Sequence, residues 1–149
     1  MNHVYSFKNR QNDEFANCLI GQFHDSEQVC YYYKLVHYHM KLAKIMYDHD
    51  QLKTCLILCN WALNSMIKAL YSHKYRSVNV PTELTMNTIL PLVHTDSKSG
   101  LDIAIFIGTM QHLSSIEDFL NCPSTNMNNV KKLVQQTEEV LGELKHLLG

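Results

Sequence analysis

The stretch that decides the fold runs from Ala43 to Tyr75 and reads AKIMYDHDQLKTCLILCNWALNSMIKALYSHKY. Leu52, Cys55, Leu56, Cys59, Ala62, Leu63, Met66 and Leu70 return every three or four positions, the period of a helix and not of a strand. Trp61 and Ile67 sit beside that stripe. The apolar arc is therefore wider than a coiled-coil seam and predicts contact with more than one neighbouring helix. The place of Trp61 is open to measurement: Trp61→Ala costs about 3 to 5 kcal/mol if the ring is buried and less than about 1 kcal/mol if it lies at the surface.

Upstream, Val29, Tyr33, Val36, Met40, Ala43 and Tyr47 alternate spacings of four and three and predict a first helix from Ser26 to Tyr47. Ser26 and Glu27 suit its start, because a hydroxyl accepts a free backbone amide and an acid favours the positive helix end. The break Asp48-His49-Asp50 is short enough to return the second helix antiparallel to the first. Residues 1–25 are read as a polar arm in which Phe15, Cys18, Leu19 and Phe23 suggest a short helical segment.

Beyond Tyr75 the periodicity fails at Ser77, Asn79 and Pro81. A short segment, Glu83 to Leu90, halts at Pro91, and Thr95 to Gly100 reads as a loop. A third helix is predicted from Leu101 to Leu120 on Ile103, Phe106, Ile107, Met110, Leu113 and Ile116, with Gly108 marking a close backbone approach. After Asn126 a fourth helix carries Val130, Leu133, Val134, Thr137, Val140, Leu141, Leu144 and Leu148 on one face. The expected fold is all-α, an up-and-down four-helix bundle over residues 26–149 with a short extra helical segment in the crossover from the second helix to the third.

The 149 residues carry 13 basic and 14 acidic side chains, a net charge of -1, so no global positive field draws the chain to nucleic acid or an anionic membrane. Only Arg10 and Arg76 bring a guanidinium. The five cysteines at 18, 30, 55, 59 and 122 contain no Cys-x-x-Cys pair and are read as reduced thiols of a cytoplasmic protein, with Cys55 and Cys59 as small core hydrophobes. No basic-then-apolar leader and no apolar run long enough for a bilayer are read.

The acidic turn at Asp48 to Asp50 followed by a helix closing on Asn60-Trp61-Ala62-Leu63-Asn64-Ser65-Met66-Ile67-Lys68-Ala69-Leu70 resembles the HEPN family (higher eukaryotes and prokaryotes nucleotide-binding). A typical run of that family has a small residue at the place of Ala62, a Glu at that of Asn64 and Lys-Ala-Leu at 68 to 70. Here the Lys-Ala-Leu is present and the Glu is replaced by Asn64. The resemblance covers about Ser26 to Leu148 and implies a homodimer associated with nucleotides, RNA or a nucleotidyltransferase partner, as in toxin and antitoxin pairs.

RNA-cutting members of the family carry an arginine followed a few residues later by a histidine. Arg10 is followed by Phe15, Ala16 and Asn17 at the histidine's place, and Arg76 by Pro81, Thr82 and Glu83. The family's Arg-Tyr-Pro reads Asn121-Cys122-Pro123, so catalytic residues are not expected. The nine histidines include none spaced by three or four residues, and no helix presents two on one face for a metal. His24, His73, His94 and His112 with Asp96 remain the set that folding could gather.

The aromatic, basic run His73-Lys74-Tyr75-Arg76 is the candidate anion contact, or else the cationic end of the second helix meeting its negative terminus. Asn64 and Lys68, one turn apart, either face a groove and touch a phosphate or a second subunit, or face solvent. Tyr31, Tyr32, Tyr33, Tyr38 and Tyr47 give the first helix an aromatic face suited to core or dimer packing. A non-catalytic binding module with no cofactor is the expectation. The alternative is an enzyme with a noncanonical histidine and acid site, metal-dependent or RNA-cleaving.

Overall fold

The computed structural model describes residues 27–94, 97–116 and 126–148. Within them the chain is all-α: α1 (Glu27–Asp48), α2 (Leu52–Tyr75), α3 (Met86–Ile89), α4 (Lys98–Ser115) and α5 (Met127–His146), with a 3₁₀ turn at Leu90–Leu92. No strand occurs among the described residues. The arm at 1–25, the Ser26 cap and Asn121-Cys122-Pro123 lie outside them.

Residues 49–51 join α1 to α2, with Asp50 at a φ of 58°, a left-handed conformation that aspartate adopts more readily than most side chains. The two helices then run antiparallel, as contacts along their length show. Gln28 Nε2 donates to the Val78 carbonyl at 2.9 Å, Lys68 Nζ stands 6.0 Å from the Tyr32 ring centre, and the His39 and Trp61 rings meet edge-on at 5.7 Å.

Helix α2 is the hub, packing against α1, α4 and α5. Leu56, Leu63, Met66 and Ile67 are buried on its inner face, among Val29 and Val36 of α1, Ile107 and Met110 of α4, and Val130 and Leu144 of α5. Burial of each large side chain contributes about 1.5 to 3 kcal/mol. Ile67 widens the apolar arc as its place beside the stripe predicted, whereas Trp61 does not join the core. The start of α5 is also where the sequence put it: the Asn126 side chain accepts from the Asn129 N–H at 2.8 Å, which satisfies a free helix amide.

Three expectations need correction. Helix α4 ends at Ser115 and not at Leu120, because Ile116 leaves the helix in an extended conformation, φ -70° and ψ 118°. Helix α4 begins at Lys98 and not at Leu101, because Ser97 is its cap: the Ser97 hydroxyl accepts from the Gly100 N–H at 3.1 Å. Gly100, read as a loop residue, is buried in the first turn against the carbonyl oxygens of Val93 and His94, where a Cβ would collide. The cysteines are not all reduced. Cys55 and Cys59 are free and buried, but Cys30 is disulfide-bonded. Spacing along the chain does not report which thiols approach in space, and that is what bridge formation requires.

At Gly108 the close neighbour is a side chain and not a second backbone: a Cβ there would lie 2.9 Å from Met86 Cε. The crossover helix α3 thus seats its methionine in a notch on α4. Among the described residues, no helix is long and apolar enough to cross a membrane.

Candidate functional site

The candidate residues from the sequence divide between two places. At the end of α2, Lys74 Nζ donates to the Pro91 carbonyl at 2.8 Å and lies 5.5 Å from the Tyr75 ring centre. The Tyr71 and Tyr75 rings are tilted together at 4.7 Å. Arg76 closes the helix in the left-handed conformation, φ 48° and ψ 42°. The Ser72 hydroxyl, buried just upstream of His73, donates to the Ser77 carbonyl at 3.0 Å. The run His73-Lys74-Tyr75-Arg76 therefore fastens the end of α2 to the 3₁₀ turn. Its lysine is engaged by a carbonyl of that turn and not by the terminus of its own helix.

Asn64 and Lys68 also part company. Lys68 lies toward Tyr32 of α1, whereas Asn64 lines a groove of about 760 Å³ between α2, the segment before α3 and the C-terminal half of α4. Asn60 lies one turn before Asn64, so both amides fall on one face of the helix. Trp61 stands at the rim, 51% exposed, which decides its place in favour of the surface. Its ring leans on His39 and does not enter the core.

The two asparagines are unusual in what they lack. Asn60 is only 9% exposed, and the Oδ1 atoms of Asn60 and Asn64 are both buried without a hydrogen-bond partner. A buried polar atom left unpaired costs about 1 to 3 kcal/mol. Opposite them, Gln111 Nε2 donates to the Leu84 carbonyl at 3.1 Å. The hydroxyls of Ser114 and Ser115 donate to the carbonyls of Gln111 and His112 at 3.0 and 2.7 Å. These far-wall donors are spent on the protein's own carbonyls.

His39, beneath Trp61, has its pKa lowered from the ordinary 6.5, chiefly because burial disfavours the imidazolium; a hydrogen bond to the Trp61 backbone partly opposes this. Its Nδ1 has no partner. A second hollow of about 420 Å³ lies between α4 and α5, lined by Lys98 together with Asp102, Glu139 and Glu143. There the Ser99 hydroxyl donates to Glu143 at 3.4 Å.

Among the described residues, no three side chains of the His, Cys, Asp and Glu types are grouped to hold a metal ion. His24 and Asp96 lie outside the described residues, so the set proposed for gathering is described only at His73, His94 and His112. Sequence reasoning missed Asn60, Gln111 and Ser114. For Asn60 a signal existed, an amide interrupting the apolar run Cys59 to Leu63 at the same helical phase as Asn64. For Gln111 and Ser114 none did, since only folding brings α4 beside α2. No protein-family model, curated protein or solved structure matches this chain.

Proposed function

We propose that the chain is a HEPN-like helical module, an up-and-down four-helix bundle with α3 in its crossover. It has no cleavage chemistry of its own. It acts as a homodimer in nucleotide- or RNA-linked regulation, or as partner of a nucleotidyltransferase of the toxin and antitoxin type. One observation carries the dimer: Tyr31, Tyr38 and Ile45, seven residues apart along α1, are all exposed large hydrophobics. Such a stripe is the pattern by which one helix packs on a second copy of itself about a twofold axis.

Sedimentation equilibrium tests it. A dimer mass that falls to the monomer on Tyr38→Glu is expected, and a monomer mass independent of concentration would sink the reading. Titration with nucleotides and short RNA, and co-purification with a nucleotidyltransferase, test the regulatory half. The cytoplasm is the compartment of this reading. The Cys30 disulfide pulls against it, because bridges persist mainly in oxidising surroundings. The alternative enzyme predicts a stoichiometric transition metal, or RNA cleavage lost on changing His73 or Arg76. No described cluster favours it.

A further inference from the structure

We infer that the groove between α2 and α4 binds a small organic cation rich in N–H donors, an alkylguanidinium or primary alkylammonium. This site is separate from the dimer stripe and from any anion contact. The inference starts from hydrogen-bond supply and demand. Asn60, nine-tenths buried, and Asn64 each hold a carbonyl oxygen with no donor. On the facing wall Gln111 and Ser114 each donate to a backbone carbonyl. What those two oxygens lack is a donor.

Charge points the same way. Among the described residues, Glu83 is the only ionisable one lining the groove, and no lysine, arginine or histidine lines it. A phosphate or carboxylate would find one negative charge and no cation to meet it. Trp61 adds an indole face at the rim, and cations are drawn to the electron-rich face of tryptophan more than to any other ring. A guanidinium combines a flat stacking surface with five donors in a fixed fork and is weakly hydrated, so it is the best match. Rotation of the asparagine amides about their soft terminal torsion turns their oxygens toward such a guest.

The chain has a single tryptophan, and it stands in this groove, so its fluorescence reports occupancy directly. The full chain is titrated with ethylguanidinium and with N-acetyl-arginine methylamide, which carries the same head on a peptide backbone. Tetramethylammonium and inorganic phosphate serve as comparisons. A saturable change with the guanidinium probes is expected, weakened about tenfold or more by Asn64→Leu and by Glu83→Gln, the scale of losing a hydrogen bond or ion pair to a charged group. Tighter binding of the free cation marks a small-molecule ligand, and tighter binding of the arginine derivative marks a side chain presented by a polypeptide. Either order supports the inference.

No saturable response, an equal response to tetramethylammonium, a stronger response to phosphate, or unchanged affinity in both variants would each overturn it. Glu83 is exposed, so its variant keeps the experiment decisive even if Asn64→Leu fails to fold.

Discussion

The two faces of α2 differ in how completely they are paired. Against the inner face, the buried Thr137 hydroxyl of α5 is matched, donating to the Leu133 carbonyl at 2.7 Å. The Cys59 thiol is pushed far above its ordinary pKa, first by its hydrogen bond to Cys55 and then by burial, so it stays a neutral thiol. On the groove face, a quarter-turn or so away, two amide oxygens are buried with nothing to bind. The inner face is closed by the chain itself. The groove face leaves two acceptors without a donor, each a cost of about 1 to 3 kcal/mol.

The sharpest way to break this contrast is to truncate one large side chain from each face. Leu63→Ala, at a fully buried position, should cost about 2 to 5 kcal/mol in urea unfolding. Trp61→Ala should cost less than about 1 kcal/mol, as for other surface changes. Similar losses from both would mean that the groove rim supports the core. A smaller effect of opposite sign comes from Asn60→Leu. Removing an orphaned amide should stabilise the ligand-free chain by about 1 kcal/mol, and a clear loss would reveal a partner for that amide.

The smallest effect concerns His39. Its folded pKa lies below 6.5, so as pH falls through that value the unfolded chain takes up the proton first and stability declines. Melting temperatures compared above and below about pH 6.5 should therefore fall less steeply in His39→Gln than in the parent. Equal slopes would detach His39 from the effect.

Most of the helical framework was legible because burial imposes a period that apolar residues must follow. Val29, Val36, Met40 and Ala43 in α1 and Val130, Val134, Leu141 and Leu144 in α5 are buried as their spacing implies. The start of α4 was misread because Ser97, Ser99 and Gly100 have turn-like composition, yet here a serine caps a helix and a glycine admits two carbonyls. Trp61 could not be placed from its period alone, since an indole suits a core or a wet rim equally well. The site was half legible. Asn64 was singled out, but its pairing with Lys68 followed sequence neighbours, while the structure pairs it with Asn60 and, across the groove, with Gln111.

Gly108 gives one last consequence. The atom above it is Met86 Cε, the far end of a flexible side chain, so a methyl added at that α-carbon pushes the thioether tip aside before it moves any backbone. The seat is tight but yielding, and the strap that carries Glu83 and Leu84 keeps its place when the notch is filled.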